Sequence, residues 1–522
     1  MKPMSLFRRS CPFAVLAAGA VVVSLSFAPV SAQQTGAVEP DFAAIDRYVE
    51  SERQAMRVPG LAIGIVQGDR IVHLAGFGQA DPNGRPVTAQ TPFFTASLNK
   101  SVTALAVMQL VESGKVDLDA PIQRYLPWFR VADGNASAQI TVRHLLNQTS
   151  GFATGPANLG LVGDGTDGQA IERGVRALGD VSLSQPVGST YQYSNFNYRT
   201  LGMLVQAVSG QAYEQYVQQH VFDPLAMRRS YLSQAAAQAQ GLATGYRFWF
   251  GIPVPADLTY SRMFVPSGGL MSTSEDLAHY LVAQLNGGRY AGALVLSSAG
   301  MAEQHRPAVR QGSADAYYGM GWEVGVSDGM PIVHHNGTLP NAYADLMLLP
   351  DQGVGVVVLA NATNLVVLER LDAVARGVAS MQSGRQPTSV TESRLFQALP
   401  IVSVTIVLLQ VVWILRSVAG LRRWHARPQS RPRGARTLVW HIGLPLVLNV
   451  GWASLVLVGV PLPFGLPLAT TLFVLGDYAY VLAGSAVIAL IWGVLRTLLA
   501  WWVLRATPSG PAIAVPILAP AA

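Results

Sequence analysis

The C-terminal part of the chain contains three long apolar runs, which constrain its fold more than any other feature. The runs lie at about 395–415, 438–460 and 479–504. Each is long enough to cross a hydrocarbon core of roughly 30 Å, which takes about 20 helical residues. A helix also satisfies its own backbone hydrogen bonds in lipid. The sequence therefore predicts an all-α region of three transmembrane helices, followed by a short tail at 505–522.

Arginine placement predicts how these helices are oriented. The loop between the first and second runs is rich in arginine, with Arg416, Arg422, Arg423, Arg427, Arg431, Arg433 and Arg436. The loop between the second and third runs has no arginine. Because basic loops stay in the cytoplasm, loop 416–437 is predicted to be cytoplasmic. The chain before the first run then lies outside the inner (cytoplasmic) membrane, in the periplasm, and membrane lipid is a predicted partner.

The first 32 residues are typical of a secretory signal peptide, which agrees with this orientation. Basic residues precede an apolar stretch at 13–27 that is short for a membrane span, and small residues follow at 30–32. An uncleaved anchor is the alternative. Residues 33–383 are then one extracytoplasmic domain, and 384–394 a linker.

Charge excludes one class of partner. The whole chain carries +6, but the basic excess lies in the signal-like segment and in the arginine-rich tail, so the domain at 33–383 is acidic. A nucleic-acid-binding domain needs a basic patch on its folded part. Nucleic acid is therefore not a predicted partner.

Hydrophobic patterns predict an α/β (α+β) fold for this domain. A strand hairpin is predicted near its start, at 61–74, and three consecutive strands near its end, at 331–335, 342–349 and 353–361. The middle reads mainly as helix and loop. One sheet built from both ends of the domain, with a helical insertion, fits this order.

A Ser-x-x-Lys pair, Ser97 and Lys100, stands at the predicted start of a helix that stops near Gly114. Residues i and i+3 share a helix face, so the two side chains can meet. A serine hydroxyl needs a neighbouring base to become a nucleophile, and a lysine whose pKa is lowered by burial can be that base. The chain has three lysines against 33 arginines. Because arginine does not lose its proton, a lysine at this position indicates a base rather than a general cation.

Two later motifs are ordinary when taken alone. Tyr193 and Asn195 form a Tyr-x-Asn motif in a predicted loop, where tyrosine can transfer a proton and the amide can bind a carbonyl. His335 and Gly337 form a His-x-Gly motif in the first late strand. His335 can offer a proton or a positive charge to a carboxylate, and glycine lets a substrate backbone approach the strand. A plain turn and a strand-end histidine are the alternatives.

Together, the order and spacing of the three motifs resemble the layout of penicillin-recognising serine enzymes. The chain resembles the serine hydrolase family related to class C β-lactamases and D-alanyl-D-alanine carboxypeptidases, over about residues 41–379. Further similar stretches lie at 58–61, 110–118, 124–127, 144–151 and 318–322. The resemblance implies a β-lactamase/transpeptidase-like antiparallel sheet flanked by helices, with a helical subdomain.

The resemblance also implies the roles of three residues in catalysis. Ser97 would be acylated, and Lys100 would activate it. Tyr193 would pass a proton to the leaving group and help to activate the water that removes the acyl group. No metal or other cofactor is implied.

Substrate-binding roles fall on the other motif residues. Asn195 would hold the acyl amide, and His335 stands where β-lactamases carry a lysine. Gly337 and Thr338 would lie along the substrate. The backbone N–H groups of Ser97 and Thr338 would form the oxyanion hole.

Three departures from the family pattern bear on the substrate. The third motif is His-x-Gly rather than Lys-Thr-Gly, Asn147-Gln148 replaces the commoner Thr-His, and Pro340-Asn341 replaces Pro-Gly. The first departure favours carboxypeptidase, D-aminopeptidase or esterase members over efficient β-lactamases.

The predicted function is thus a membrane-anchored periplasmic serine hydrolase with a small-molecule or peptide substrate. Its substrates would be D-amino-acid peptides, β-lactams or esters. The alternative is a non-catalytic sensor that binds cell-wall fragments or β-lactams and signals through the spans.

Overall fold

The computed structural model describes residues 41–155, 165, 167–312, 315–387, 394–462 and 468–506. The predicted signal peptide lies outside the described residues, as do most of the predicted linker and nearly all of the C-terminal tail.

The sheet is built from both ends of the domain predicted at 33–383. The strands are β1 (Gly60–Gln67), β2 (Arg70–Gly78), β3 (Phe93–Ala96), β4 (Tyr246–Trp249), β5 (Ile252–Pro255), β6 (Leu270–Ser272), β7 (Arg289–Tyr290), β8 (Ala293–Leu294), β9 (Val309–Arg310), β10 (Ala316–Tyr318), β11 (Glu323–Ser327), β12 (Met330–Leu339), β13 (Ala342–Leu349), β14 (Val354–Ala360) and β15 (Ala362–Thr363). Among the described residues, eight of them form one antiparallel sheet in the order β2-β1-β14-β13-β12-β11-β10-β9. The pairing of β1 with β14 joins the two ends of the domain.

Helices cover both faces of this sheet, fill the insertion and form the C-terminal region after residue 394. They are α1 (Phe42–Met56), α2 (Asn99–Glu112), α3 (Gly134–Gln139), α4 (Val142–Leu146), α5 (Ala170–Arg176), α6 (Asn195–Ser209), α7 (Tyr213–Val217), α8 (Gln234–Ala239), α9 (Val265–Gly268), α10 (Ser274–Leu285), α11 (Ser298–Gln304), α12 (Leu368–Gln382), α13 (Arg394–Ala426), α14 (Ala435–Leu438), α15 (Leu444–Ser454), α16 (Leu468–Leu475) and α17 (Asp477–Arg505).

Strand β1 shows why the sheet needs helices on both sides. Its side chains alternate between two cores, because successive strand residues point to opposite faces. Ile63 and Ile65 pack with α1 and α12, whereas Ala62 and Val66 pack in the core that contains α2 and α10. The apolar runs of β1, β13 and β14 follow from burial on both faces. The predicted α+β architecture is confirmed.

Three helices of the described residues are long and apolar enough to cross a membrane, namely Pro400–Ala426, Ala435–Gly459 and Asp477–Arg505. The first helix continues well past the predicted end at 415, through arginines of the basic loop, because arginine is a good helix former outside the apolar run. The short helix α16 lies in the segment predicted to be a loop between the second and third runs.

Candidate active site

A strained turn presents Ser97 to the outside. Strand β3 ends at Ala96, whose φ is +49°, a left-handed conformation that costs energy for any residue other than glycine. Helix α2 begins only at Asn99, so Ser97 precedes the helix instead of starting it. Ser97 is partly exposed while the residues on either side of it are buried. The hydroxyl is therefore reachable, as a nucleophile must be.

Lys100 lies directly beneath the serine. Its side chain is fully buried, and its Nζ lies 2.9 Å from Ser97 Oγ and donates to the Ser267 carbonyl at 2.6 Å. Burial holds the pKa of Lys100 well below its usual value, and the nearby positive charge of Arg199 lowers it further. A neutral amine has a free lone pair, so Lys100 can accept the serine proton.

Tyr193 makes the second contact with the serine. Its phenol donates to Ser97 Oγ at 2.8 Å. Burial raises the pKa of Tyr193 above its ordinary value of about 10, so the phenol keeps its proton at neutral pH. The lowered pKa of Lys100 favours its neutral form and the raised pKa of Tyr193 favours its protonated form, so Lys100 is the better base and Tyr193 the better acid.

Tyr193 lies in a loop, as predicted, and this loop runs directly into helix α6 two residues later. Asn195 is the first residue of α6 and is buried. The start of helix α6 therefore positions both Tyr193 and Asn195, and Tyr193 contacts Ser97 directly.

Gln148 clamps the Tyr193 segment from both sides, a role that sequence reasoning missed. Its side-chain carbonyl accepts from Ser194 N at 2.9 Å and from the Asn197 amide at 2.5 Å. Its backbone carbonyl accepts from Gln192 N at 2.8 Å. The φ of Gln148 is +59°, so this geometry costs backbone strain. The unusual residue pair at 147–148 was the only sequence signal for it.

His335 lies beside the contact between Ser97 and Tyr193, and of the two predicted possibilities, a proton or a positive charge, its environment disfavours the positive charge. It is almost fully buried, with its ring centroid 6.2 Å from that of Tyr193. Its Nδ1 donates to the Asn336 carbonyl at 2.6 Å, and Tyr318 Oη lies 3.5 Å from Nε2. Burial and the proximity of Lys100 lower the pKa of His335 to about 3. At neutral pH it is a neutral hydrogen-bonding ring, without the positive charge expected for a carboxylate partner.

Gly337 brings strand β12 against the serine backbone. A Cβ atom at this position would lie 2.2 Å from Thr95 O and 2.9 Å from Ser97 N. The sequence predicted that glycine makes room for substrate, whereas here it makes room for the protein itself. Strand β11 pairs with β12 only as far as His334, so the β12 edge beyond it, including exposed Thr338, is not covered by β11.

Among the described residues, no group of three or more His, Cys, Asp or Glu side chains is placed to hold a metal ion. His334 and His335 point to opposite faces of β12, and His334 Nε2 lies 3.7 Å from a Glu323 carboxylate oxygen.

Residues 45–380 match the family model described as Beta-lactamase, which covers more than half of the chain. The chain belongs to the Beta-lactamase family. This confirms the resemblance drawn from the three motifs, together with the β-lactamase/transpeptidase-like fold.

The chain is also similar to two further proteins and to one solved structure. Protein flp of Staphylococcus aureus (strain MW2) is 26% identical over 459 residues, which cover 83% of this chain and 88% of flp. Penicillin-binding protein 4 of Amycolatopsis lactamdurans is 29% identical over 319 residues, which cover 59% of this chain and 82% of that protein. The octameric penicillin-binding protein homologue from Pyrococcus abyssi has a similar fold, with a TM-score of 0.58, 24% identity, and coverage of 66% of this chain and 78% of that one. The likeness to flp extends beyond the matched Beta-lactamase domain.

Two departures from the Beta-lactamase family pattern make specific contacts here. Gln148 holds the Tyr193 segment as described above. Asn341 follows the third motif, and its amide oxygen accepts from Tyr260 Oη at 2.6 Å while its Nδ2 donates to the Ala256 carbonyl at 3.1 Å. The turn after β12 is therefore tied to the segment at 256–260, next to the uncovered strand edge.

Proposed function

We propose that this chain is a membrane-anchored, extracytoplasmic serine hydrolase that forms an acyl-enzyme on Ser97. One observation carries the proposal: Ser97 Oγ lies 2.9 Å from Lys100 Nζ and 2.8 Å from Tyr193 Oη. A hydroxyl between a neutral amine and a protonated phenol has a proton acceptor and a proton donor at the same place. A purely structural serine needs neither.

Acylation begins when Ser97 transfers its proton to Lys100 Nζ. The Oγ atom forms a bond to the substrate carbonyl carbon, and the negative charge on the carbonyl oxygen is stabilised by the N–H groups of Ser97 and Thr338. The tetrahedral intermediate collapses by breaking the bond to the leaving nitrogen or oxygen. That atom takes the Tyr193 proton, and Tyr193 is reprotonated from Lys100.

Deacylation runs the same transfers with water in place of the leaving group. The water gives one proton to the Tyr193–Lys100 pair as its oxygen attacks the ester carbonyl. The bond to Ser97 Oγ then breaks, and Oγ recovers its proton. Asn195 and the neutral His335 orient the acyl group by hydrogen bonding rather than by charge.

D-amino-acid peptides, β-lactams and esters remain the substrate candidates. Family membership and the similarity to penicillin-binding protein 4 of Amycolatopsis lactamdurans support a penicillin-like substrate. The uncovered edge of β12 suits an extended peptide, which can add to a strand through its backbone. The neutral His335 does not favour a substrate selected by its carboxylate.

Turnover of a D-Ala-D-Ala peptide, a chromogenic cephalosporin and a short-chain ester, measured side by side, tests the proposal. The wild type should turn over at least one of them, and Ser97→Ala should lose at least ~10³-fold in kcat. Ser97→Ala turnover equal to wild type would refute an acyl-enzyme on Ser97, as would a folded wild type inert to all three substrates.

Membrane anchoring and orientation form the second part of the proposal. They are supported by three helices long and apolar enough to span and by the arginines of loop 416–437. In a Cys11→Ser background, which has no other cysteine, new cysteines at the exposed residues Gln139 and Gln429 report the topology. A membrane-impermeant maleimide applied to spheroplasts should label Gln139→Cys alone. Labelling of Gln429→Cys alone would show that the topology is the opposite of the one proposed.

The sensor alternative has one specific observation in its favour. The backbone N–H of Phe250 in the extracytoplasmic domain donates to Asp477 of α17 at 2.5 Å, which couples the domain to a candidate span. Deleting residues 394–522 separates the two functions. Full cellular function of the remaining secreted domain excludes obligatory signalling, whereas loss of function with retained turnover favours it.

A further inference from the structure

The hairpin of β4 and β5 has an apolar tip that the domain itself does not cover. Trp249, Phe250, Ile252 and Val254 are 40%, 57%, 61% and 39% exposed. We call these four residues the hairpin tip. Adjacent exposed side chains of this size on a folded domain commonly mark a contact surface.

The backbone conformation at the tip is unfavourable for the bulky apolar residue found there. Trp249 pairs with Ile252, so Phe250 and Gly251 form a two-residue turn. Both have positive φ, +50° and +78°. Turns of this kind favour Asn-Gly, and a bulky residue at positive φ is uncommon. Phenylalanine at this position is poor for the turn, so something other than turn formation accounts for it.

The tip lies against the start of helix α17. The Phe250 N–H donates to Asp477 Oδ2 at 2.5 Å. The Trp249 ring stacks on Tyr480 with centroids 5.7 Å apart, and the Phe250 ring meets Tyr478 edge-on at 6.3 Å. With α17 crossing the membrane as proposed, its first turn lies at the extracytoplasmic interface, where aromatic side chains concentrate. The tip is therefore level with the lipid headgroups.

A cavity of about 140 Å³ connects this interface with the end of strand β12. It is lined by residues 338–340 at the end of β12, residues 476–478 of the tail and residues 363–366, together with Phe248, Leu368 and the cation Arg247. Thr338 and Gly337 are neighbours on β12 but point to opposite faces of it. The cavity therefore lies on the α12 side of the strand, and Ser97 lies on the other side, across the uncovered edge of β12. The cavity has room for part of one acyl chain and not for a folded partner.

We propose that the hairpin tip and this cavity form a lipid-facing opening, and that the substrate is a membrane-resident amphiphile. Its acyl chain lies along the tip and in the cavity, and its ester or amide carbonyl reaches Ser97 from the bilayer surface. The occupant is a lipid chain because the tip is continuous with a membrane span. This proposal rests on the proposed serine hydrolase function and names its substrate class.

The test compares two fluorogenic esters of one coumarin alcohol, a water-soluble butyrate and a bilayer-resident palmitate. The full chain is reconstituted in vesicles of phosphatidylcholine and phosphatidylglycerol. The variant is Phe250→Asn, which suits the turn and so keeps the hairpin folded while removing the apolar side chain. The matched control is Ala291→Asn, because Ala291-Gly292 forms the same kind of two-residue turn, also with positive φ, between β7 and β8.

Phe250→Asn should lower kcat/KM for the palmitate at least tenfold and change that for the butyrate less than twofold. Ala291→Asn should change neither. Equal effects of Phe250→Asn on both esters, or none on either, would overturn the lipid-facing opening while leaving the hydrolase intact. A wild type inert to both esters, with unlabelled Ser97, would overturn both proposals together.

A second measurement does not depend on turnover. Ile252→Cys and Leu294→Cys, in the Cys11→Ser background, carry an environment-sensitive fluorophore on residues of similar exposure. Lipids spin-labelled near the headgroup should quench the probe at 252 and not at 294. Absence of quenching at 252 would overturn the proposal, and a concentration-dependent cross-link between copies there would assign the tip to a second copy of the chain instead.

Discussion

Replacing Gly337 with alanine tests whether the approach of β12 to the serine backbone sets the catalytic geometry. The added Cβ would lie 2.2 Å from Thr95 O and 2.9 Å from Ser97 N, whereas ordinary contact begins at 3.4 Å. Strand β12 or β3 must therefore shift by about 1 Å, which pulls apart the two N–H groups proposed to bind the oxyanion. A misplacement of about 1 Å costs a reaction about 10²-fold, or ~2.7 kcal/mol of transition-state stabilisation.

The rate of Ser97 acylation by a fluorescent penicillin or fluorophosphonate, read from a gel, measures this loss. The matched control is Gly134→Ala, whose added Cβ has nothing within 4 Å and which should label at the wild-type rate. Overpacking at 337 should also cost about 1–3 kcal/mol of folding stability, so thermal unfolding is recorded alongside. Gly337→Ala labelling within threefold of wild type, with the melting temperature unchanged, would refute the reasoning.

Three further predictions concern the groups around Ser97. Lys100→Arg keeps a cation but removes the base, because a guanidinium does not lose its proton. In this variant the rate of acylation should fall at least ~10³-fold, and retained activity would contradict the role of Lys100 as the base. In the wild type the rate should decline as the pH falls through the lowered pKa of Lys100, because a protonated amine accepts no proton. Gln148→Ala releases the segment that carries Tyr193, so the free energy of unfolding should fall by about 1–3 kcal/mol and kcat should fall about tenfold. Thermal melts and turnover measure these effects, and an unchanged kcat would show that Gln148 does not position Tyr193. The pKa of His335 is about 3 in the folded chain and about 6.5 in the unfolded chain. Between these pH values the unfolded state binds a proton that the folded state does not. The free energy of unfolding therefore falls on acidification, by at most ~1.4 kcal/mol per pH unit. His335→Asn should lack this part of the acid sensitivity in denaturant titrations, and identical pH slopes would show the inference to be wrong.

Local periodicity made the main elements of the Beta-lactamase domain predictable. The i, i+3 spacing brought Ser97 and Lys100 together as expected, and the apolar runs at both ends of the domain formed one sheet. The exact start of α2 was missed because Ala96 adopts a left-handed conformation that leaves Ser97 in the turn. Nothing in the identity of an alanine signals that conformation.

Long-range contacts of the backbone were beyond sequence reasoning. The Ser267 carbonyl that holds Lys100 is a group that every residue carries, so its position has no signature. Gln148 looked like a departure from the family pattern, but its clamp depends on atoms of residues 192–197 that only the fold brings near. Likewise, the charge of His335 depends on how deeply it is buried, which its position at a strand end does not reveal.

The contact between the hairpin and α17 joins residues more than two hundred positions apart. Asp477 has no apparent role when read along the sequence, since an acid at the end of an apolar run is ordinary. Its carboxylate has a function only once the turn at Phe250 lies beside it. The apolar pattern predicts the spans but not the hairpin of β4 and β5, which lies where mainly helix and loop were expected.

Peptide mapping of the trapped acyl-enzyme tests the central claim most directly. The purified full chain is incubated with a slowly hydrolysed penicillin, digested and sequenced by tandem mass spectrometry. We predict one stoichiometric adduct, located on Ser97 and absent from Ser97→Ala. An adduct on any other residue, or none on folded wild-type protein that a fluorophosphonate also leaves unmodified, would contradict an acyl-enzyme built on Ser97, Lys100 and Tyr193.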